Sequence, residues 1–502
     1  METAAWTAGI KGGTSVKLRE LLRNVEVLEL AADPEIELAD ISYDSRHTKP
    51  GDLFVAVTGF ETDGHKFIPA AVERGAAAVL CERAPQVEIP YVRVADSRKA
   101  LAIASANLFG RPAEQMKLIG VTGTNGKTTS TMLIKHLLET QENVKVGLVG
   151  TNQNMIGYET LPTERTTPES YELHKLFREM ADAGCTHVVM EVSSHSLVLC
   201  RVAGLHFEVG LFTNLTQDHL DFHGTMDAYA RAKALLFSQC ERGGVNLDDA
   251  YAPVMLESAK CPMMTWAIQK NEADLVAKDV RLAADGVKFC ALTMGQLERV
   301  KIGIPGRFSV YNALTVIACG LLLGLDLQTC SAALADAQGV KGRVEVVPTD
   351  GDYTILIDYA HTPDALENIL RSMREVTSGR LVALFGCGGD RDRTKRPIMG
   401  KIAADNADFV IVTSDNPRTE DPEAIIADIA AGLKGTHTRF KIIPDRREAI
   451  AWAIDNHKSG DVIVLAGKGH ETYQIIGKTK YHMDEREIVA EHLTRRAGRA
   501  DL

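Results

Sequence analysis

An apolar run that ends in a glycine-rich turn and a helix constrains this chain more than any other feature. Residues 117–129 read KLIGVTGTNGKTT, and an apolar helical pattern follows from Met132 to Leu138. Glycines at such a turn let several backbone N–H groups point at one phosphate, and the helix N-terminus adds partial positive charge. The pattern therefore predicts a phosphate-binding loop that takes ATP or GTP.

Two residues of this loop have expected roles: Lys127 would reach the terminal phosphates, and Thr128 would ligate Mg²⁺. The usual motif places its first glycine at the position of Val121, whereas the glycines here recur every third residue. A glycine-rich turn without a ligand is the alternative. We favour the phosphate site, because Gly-Lys-Thr-Thr directly after a strand is hard to explain by packing.

Length and composition narrow the class of protein. The 502 residues suggest roughly three domains. A net charge of −11 argues against nucleic acid as a partner, and nine cysteines without a C-x-x-C pair are typical of buried thiols in a reducing compartment. Residues 1–14 lack a signal-peptide pattern, and the apolar stretch 317–325 is too short to span a bilayer. We expect a cytoplasmic protein without membrane insertion.

Strand-like and helix-like segments alternate along the whole chain, which predicts an α/β fold with three domains. A small α/β domain would occupy residues 1–113. A central P-loop ATPase domain would occupy residues 114–342. A Rossmann-like α/β domain would occupy residues 343–502. The glycines at 386–389 do not form a dinucleotide-binding fingerprint, so redox chemistry is not expected.

Three features after the P-loop are candidates for a metal or acid–base site. Glu191 lies near the C-terminal end of the apolar run 187–192, where a Mg²⁺ ligand belongs. A strand-end surface glutamate is the alternative. Residues 218–223 hold two aspartates and two histidines, including His219, although histidines are often only hydrogen-bonded. Lys233 lies among alanines in a helix predicted from Met226 to Cys240, so it could reach inward or remain solvated.

Polar loops follow three strands of the predicted C-terminal domain, at residues 386–393, 414–420 and 467–471. Ligands of such sheets bind at the carboxyl ends of the strands, so these loops would line one crevice. Their arginines could hold a carboxylate and their acids an ammonium group, which suits a zwitterion, although ordinary surface ion pairing explains them equally well. The residues concerned are Arg391, Asp415, Asn416, Arg418 and Glu471.

Five motifs, taken together and in order, resemble the Mur ligase family over residues 41 to 490. They are TGTNGKT (122–128), EVSSH (191–195), TNL with DHLD (213–215, 218–221), DYAHTP (358–363) and GKGHE (467–471). The altered glycine spacing is the form that this family uses. The resemblance implies an ATP- and Mg²⁺-dependent ligase that acts as a monomer. It also implies that residues 1–113 bind a UDP-sugar.

The motif Asp415–Arg418 is similar to that of the family member that adds meso-diaminopimelate to UDP-N-acetylmuramoyl-L-alanyl-D-glutamate, with Arg418 as the position that differs in lysine-adding relatives. These two molecules are therefore the expected substrates. The resemblance implies catalytic roles for Lys127, His219 and Lys233, the last carbamylated.

The resemblance also implies contacts for each ligand. The ATP contacts would be Gly123, Thr124, Asn125, Gly126, Lys127, Thr128, Thr129, Asn312 and His361. The Mg²⁺ ligands would be Thr128, Glu191, His219 and Lys233. The UDP-muramoyl-dipeptide contacts would be Tyr43, Ser45, Phe60, Thr62, Thr166, Thr167, Ser193, Leu199 and Arg201. The diaminopimelate contacts would be Arg391, Asp415, Asn416, Pro417, Arg418, Gly467 and Glu471.

Two other functions are weighed against this one. A folylpolyglutamate synthase would share the P-loop, but the domain before residue 113 and the loop 415–418 argue against it. A non-enzymatic nucleotide switch is the second alternative, and the crowded loop 218–223 argues against that.

We predict that Lys127→Ala abolishes turnover, because no other residue of the loop can bring a positive charge to the terminal phosphates. ATP-dependent phosphate release measures this, with Lys117→Ala at the start of the same segment as the control. Normal activity of Lys127→Ala would contradict the phosphate-site assignment.

Overall fold

The computed structural model describes residues 15–59, 62–142, 144–337 and 339–500, and it divides into two compact units, Met1–Met264 and Thr265–Leu502. Within the described residues, no helix is both long and apolar enough to cross a membrane.

The first unit begins with a small sheet of five strands. Their order is Val27–Ala31, Tyr91–Val94, Ala78–Cys81, Leu53–Val55 and Ile41–Ser42, and only the first pair is antiparallel. The short strands Val16–Lys17 and Glu37–Leu38 pair separately. The helices of this region are Leu18–Leu21, Ile68–Glu73 and Ser97–Leu108, with 3-10 turns at Gly64–Phe67 and Pro112–Gln115.

A second sheet of the first unit contains the P-loop strand. Its order is Glu159–Leu161, Asn154–Ile156, Val146–Val149, His187–Glu191, Lys117–Thr122, Phe207–Phe212 and Cys240–Asn246, and the last five are parallel. The interiors of the central strands are fully buried, which explains their continuous apolar sequences. The helices are Lys127–Glu142, Ser170–Asp182, Ser194–Val198, Leu220–His223, Met226–Ala234 and Ala252–Ser258, with a 3-10 turn at Leu235–Ser238. Strand Met263–Ala267 crosses the boundary between the units.

The second unit starts with three antiparallel strands and ends in a largely parallel sheet. The antiparallel strands are Leu275–Ala283, Gly286–Thr293 and Gln296–Ile302, followed by helices Arg307–Leu322 and Leu327–Asp336. The later sheet has the order Glu345–Val347, Thr354–Asp358, Val462–Ala466, Leu381–Phe385, Phe409–Val412 and Arg439–Ile442, and only the first strand is antiparallel. Its helices are Pro363–Arg374, Lys395–Asn406, Pro422–Ala431, Arg446–Asp455 and Glu485–Ala500, and a hairpin pairs Tyr473–Ile476 with Thr479–His482.

The alternation of strands and helices expected from the sequence is confirmed. One helix is shorter than predicted. The helix predicted to run to Cys240 ends at Ala234, because Cys240 begins a strand that pairs with Phe207–Phe212. Tertiary strand pairing thus overrides the local helical pattern. The domain boundaries at residues 113 and 342 remain a prediction.

A buried ion pair joins two helices of the C-terminal sheet domain. The side chains of Arg446 and Glu485 are both fully buried, and Arg446 Nη2 lies 2.8 Å from Glu485 Oε1. The same guanidinium donates to Ala466 O, at 2.9 Å, where the central strand ends. Burial raises the pKa of Glu485, and the charge of Arg446 opposes that rise.

We predict that Glu485→Ala lowers the free energy of unfolding by about 3–5 kcal/mol, because it leaves the Arg446 guanidinium buried without a counter-charge. Urea unfolding followed by circular dichroism measures this. The control is Glu487→Ala, whose exposed ion pair with His482 contributes at most about 1 kcal/mol. Equal effects of the two changes would contradict the prediction.

Candidate active site

The predicted phosphate-binding loop connects strand Lys117–Thr122 to helix Lys127–Glu142. Two of its glycines have left-handed backbone angles, with φ of 148° at Gly123 and 83° at Gly126. A Cβ atom at Gly123 would lie 1.9 Å from Thr213 Oγ1, so no larger residue fits there. The glycine pattern is therefore a steric requirement of this turn.

The loop is fixed by the end of the neighbouring strand. Asn214 O accepts from the Thr124 N–H at 2.8 Å, and Asn214 Oδ1 accepts from the Asn125 N–H at 2.9 Å. Thr213 Oγ1 donates to Asn125 O at 2.7 Å. Asn214 was not among the predicted site residues, although its place directly after a parallel strand was a usable signal.

Two lysines predicted for the site meet at one carbonyl group. Lys127 Nζ donates to Gly123 O and to Thr124 O, each at 2.8 Å, and Lys233 Nζ also donates to Gly123 O at 2.8 Å. Lys233 is buried and lies 4.5 Å from the Tyr229 ring centroid. Burial, and then the charge of Lys127, hold the pKa of Lys233 well below its usual value. Lys233 therefore points inward, and its amine is readily neutral.

Glu191 is buried beside the first turn of the P-loop helix. Thr128 Oγ1 donates to Glu191 Oε1 at 2.9 Å, and Thr151 donates to the two carboxylate oxygens through its N–H and its Oγ1, each at 2.9 Å. Within the described part of the chain, every hydrogen-bond donor to this carboxylate is neutral. A buried anion with only neutral donors and an adjacent hydroxyl is a set of hard oxygen ligands that fits Mg²⁺.

Thr151 was missed by the sequence analysis. It follows strand Val146–Val149, which pairs in parallel with the strand that carries Glu191. The signal was its position at a strand end, but the sequence does not reveal which strands are neighbours.

His219 lies in a cluster of aromatic side chains. Its φ is 52°, a left-handed backbone conformation that only a few per cent of non-glycine residues adopt. Its ring centroid is 4.8 Å from that of His195 and 6.2 Å from that of Tyr229, and its Nε2 is 3.4 Å from Asp218 Oδ2. In the ranges described, no hydrogen bond or ion pair joins His219 to Glu191 or Thr128.

Two further histidines complete this cluster. His223 stacks on Tyr229 with centroids 4.7 Å apart, and its Nε2 is 2.9 Å from Ser194 Oγ. Burial lowers the pKa of His223 to about 4 and also lowers the pKa of His195. The imidazoles of His195 and His223 are therefore neutral at pH 7 and contribute no positive charge to this cluster. The described residues contain no ready-made cluster of histidine, cysteine and acidic ligands for a metal.

A cavity of about 680 Å³ lies in the first unit, and five predicted substrate residues line it: Tyr43, Ser45, Thr62, Leu199 and Arg201. Phe60, also predicted, lies outside the described residues. Glu169 is within 3.2 Å of Arg201 and within 3.9 Å of both Arg98 and Arg165. Three guanidinium groups around one carboxylate leave an excess of positive charge, which suits an anionic ligand.

The other predicted substrate residues connect this cavity to Glu191. Thr166 Oγ1 is 3.0 Å from Thr151 Oγ1, and Thr167 Oγ1 donates to Glu191 O at 2.8 Å. The Ser193 N–H donates to Thr167 Oγ1 at 3.2 Å, and Arg201 Nη1 donates to Thr167 O at 3.1 Å. A continuous set of hydrogen bonds therefore runs from the cavity to the P-loop. Thr129 lies half-buried in the first turn of the P-loop helix.

The second unit brings together most of the residues predicted to bind an amino acid. Asn416 Nδ2 donates to Glu471 Oε2 at 2.9 Å, and Arg418 Nη1 donates to Gly389 O at 2.8 Å. A Cβ atom at Gly467 would lie 2.8 Å from Asp415 Oδ2. Arg418 has a φ of 52° and forms backbone hydrogen bonds with Ile475 and Gly477 of the hairpin. Pro417, which lies between Asn416 and Arg418 in the sequence, is buried.

Three predicted residues of the second unit have few partners there. Arg391 is exposed and donates only to Asp390 O, at 3.1 Å, among the described residues. His361 is exposed, with its Nδ1 2.8 Å from Tyr359 O. Asn312 is buried in helix Arg307–Leu322. Lys468, which was not predicted, is fully buried and donates to Asn416 Oδ1 and Glu471 Oε2.

The strand, the phosphate-binding loop and the buried carboxylate define a P-loop nucleotide-binding domain. Three family models match the chain in succession: "Mur ligase family, catalytic domain" at residues 37–120, "Mur ligase middle domain" at 121–320, and "Mur ligase, glutamate ligase domain" at 342–469. The chain belongs to the Mur ligase family, as its motifs indicated.

Relatives of similar length support the same assignment. A protein of Caldanaerobacter subterraneus subsp. tengcongensis is 47% identical over 481 residues, covering 95% of this chain and 99% of the relative. A protein of Clostridium tetani is 47% identical over 483 residues, with the same coverage. Both are named UDP-N-acetylmuramoyl-L-alanyl-D-glutamate–2,6-diaminopimelate ligase. A solved structure of a ligase with that name has a TM-score of 0.74 and 35% identity, covering 96% of this chain and all of that one.

A more distant structure shares the fold alone. A folylpolyglutamate synthase of Mycobacterium tuberculosis, described as complexed with ADP and AMPPCP, has a TM-score of 0.57 and 18% identity. The match covers 74% of this chain and 92% of the synthase chain.

We predict that Thr151→Val raises the Mg²⁺ concentration for half-maximal activity about tenfold, because Glu191 loses the hydroxyl that orients its Oε2. Phosphate release measured against Mg²⁺ concentration tests this. Thr140→Val is the control, since the hydrogen bonds of the exposed Thr140 hydroxyl within the described residues go to carbonyl groups of its own helix. An unchanged Mg²⁺ dependence would show that Thr151 does not act through Glu191.

Proposed function

We propose that this enzyme joins meso-2,6-diaminopimelate to UDP-N-acetylmuramoyl-L-alanyl-D-glutamate with hydrolysis of ATP, in the synthesis of peptidoglycan precursors. The observation that carries the proposal is the full-length similarity to relatives with this name, at 47% identity. The sequence Asp415–Arg418, in which Asn416 is buried and Arg418 donates to Gly389 O, supports the choice of amino acid.

The arginine-lined cavity is proposed to hold the UDP-muramoyl-dipeptide. Its size is within the range of ligand pockets, and its guanidinium groups suit a diphosphate and carboxylates. Tyr43 and Ser45 would contact the UDP portion together with Phe60 and Thr62. The hydrogen bonds from Arg201 through Thr167 to Glu191 support a dipeptide that extends from the cavity towards the P-loop.

The P-loop is proposed to hold the phosphates of ATP, with Asn312 and His361 on the adenosine side. Mg²⁺, held by Thr128, Glu191, His219 and a carbamylated Lys233, would neutralise charge on the transferred phosphoryl group. The lowered pKa of Lys233 supports carbamylation, since only the neutral amine is a nucleophile. The domains are proposed as residues 1–113, 114–342 and 343–502.

A carboxylate is a poor acylating agent and does not react with an amine at neutral pH, so the substrate carboxylate must first be activated. The γ-phosphoryl group of ATP passes to the D-glutamyl carboxylate, which gives an acyl phosphate and ADP. Lys127 balances the developing negative charge. The neutral amine of diaminopimelate attacks the acyl carbon, the bond from that carbon to the phosphate oxygen breaks, and the amine proton leaves with inorganic phosphate. No protein nucleophile is required, so the contribution of the protein is positioning and charge stabilisation.

The loops of the second unit are proposed to bind diaminopimelate. Arg418 and Arg391 would pair with its carboxylates, and Asp415, Asn416 and Glu471 with an ammonium group. Lysine lacks the second carboxylate and would leave the Arg418 guanidinium without its partner. The expected discrimination is about 1–3 kcal/mol or more.

The test measures ADP release with UDP-N-acetylmuramoyl-L-Ala-D-Glu and Mg-ATP, with either meso-diaminopimelate or L-lysine. We expect turnover with diaminopimelate alone. Turnover with lysine would support the ligase activity but contradict the proposed preference of Arg418 for diaminopimelate. No turnover with either amino acid would overturn the proposal.

A variant separates the amino-acid site from the rest of the reaction. Arg418→Ala should raise the KM for diaminopimelate by about tenfold or more, because it removes a charged hydrogen-bond donor to the substrate. The KM for ATP should not change. An unchanged KM for diaminopimelate would remove Arg418 from the amino-acid site.

A further inference from the structure

The fully buried ammonium group of Lys468 lies at the centre of the proposed amino-acid site. Lys468 Nζ donates to Asn416 Oδ1 at 2.9 Å and to Glu471 Oε2 at 2.8 Å, and it lies 3.7 Å from Asp415 Oδ1. Removing an ammonium group from water is costly unless charged and hydrogen-bonding partners compensate. All three of these partners belong to the proposed binding loops.

The turn that buries Lys468 also brings the two loops together. Gly467 has a φ of 110°, and a Cβ atom there would lie 2.8 Å from Asp415 Oδ2. The glycine therefore lets the backbone approach Asp415 while the next side chain points inward. Gln474 Nε2 donates to Asp415 O at 2.6 Å, and the Ile475 N–H donates to Asn416 Oδ1 at 2.9 Å, so the hairpin holds the same loop.

Lys468 determines which oxygen of Glu471 is available. The Lys468 ammonium and the Asn416 amide both donate to Glu471 Oε2. In the described part of the chain, no hydrogen bond reaches Glu471 Oε1. Glu471 is therefore oriented through one oxygen, and the other can accept from a ligand.

Lys468 also sets the charge of this region. Asp415 and Glu471 contribute two negative charges, Lys468 contributes one positive charge, and the neighbouring ion pair of Glu485 and Arg446 is neutral. These acids therefore keep one uncompensated negative charge for the amino group of the substrate that stays protonated, while Arg418 is proposed to pair with a substrate carboxylate. Without Lys468, two carboxylates would face each other without a counter-charge, and their repulsion would displace them or favour protonation of one.

We propose that Lys468 is a positioning residue that fixes the orientation and charge of Asp415, Asn416 and Glu471 for the ammonium group of the incoming amino acid. The inference rests on the proposed function. A purely structural role is the competing explanation. The two differ in their effects, because a structural residue alters stability and all kinetic constants together, whereas a positioning residue alters the affinity for one substrate.

The experiment compares Lys468→Met and Lys468→Gln with the unaltered enzyme, as full chains, by steady-state kinetics in each substrate. We expect the KM for diaminopimelate to rise at least about tenfold, which corresponds to about 1.4 kcal/mol. The KM values for ATP and the UDP-muramoyl-dipeptide should stay within about twofold, and kcat within about threefold. Lys468→Gln keeps N–H donors while it removes the charge and shortens the side chain by one atom, so it serves as the second variant if the methionine variant fails to fold.

Lys480→Met is the matched control. Lys480 is exposed, and its Nζ lies 4.3 Å from the ring centroid of Tyr473, the same ring that Lys468 Nζ approaches at 5.4 Å. It forms no hydrogen bond with Asp415, Asn416 or Glu471 in the described residues. We expect its kinetic constants to equal those of the unaltered enzyme.

The outcomes separate the inference from the proposed function. If the unaltered enzyme shows no turnover with diaminopimelate, the proposed function fails and the inference fails with it. If that enzyme turns over but the Lys468 variants keep its KM for diaminopimelate, only the inference is overturned. A parallel loss of kcat and of all three affinities, or failure of both variants to fold, would assign Lys468 a structural role and would also overturn it.

Discussion

The side-chain nitrogens of two lysines donate to a single carbonyl oxygen, and the geometry of the phosphate-binding loop depends on this arrangement. Lys127 Nζ and Lys233 Nζ both lie 2.8 Å from Gly123 O. The carbonyl can point at them because Gly123 adopts a φ of 148° with no space for a Cβ atom. Burial, and then the like charge of Lys127, lower the pKa of Lys233. One turn thus concentrates positive charge and also provides an amine that loses its proton easily.

The two candidate sites hold their principal carboxylates in opposite ways. Among the residues that the structure describes, Glu191 accepts only from the neutral groups of Thr128 and Thr151, so no cationic side chain there balances its charge. Glu471 is held by the Lys468 ammonium and the Asn416 amide, so part of its charge is already balanced. The first arrangement favours a divalent metal ion, because more negative charge is left to attract it, whereas the second suits a singly charged ammonium group.

Much of the fold and of the candidate site could be predicted from the sequence. The P-loop and the polar loops of the second unit each follow a buried strand, and Glu191 is the last residue of one; short continuous apolar runs identify such strands. Family motifs added most of the remaining residues. Thr151, Asn214 and Lys468 were not assigned to the site. Thr151 and Asn214 matter because of which strand lies beside them, and Lys468 because its surroundings bury it.

The sequence by itself determined the class of fold, the phosphate-binding turn and the family, because these depend on local patterns: glycine spacing, runs of apolar residues and short motifs. Only the tertiary structure decided that Lys233 and Lys468 are buried, that the helix of Lys233 ends at Ala234, and that Thr151 orients Glu191. The physical reason is that burial, pKa and hydrogen-bond partners are properties of neighbours distant in the chain. A lysine between alanines or glycines is compatible with either solvent or a buried site until the surrounding strands and loops are in place.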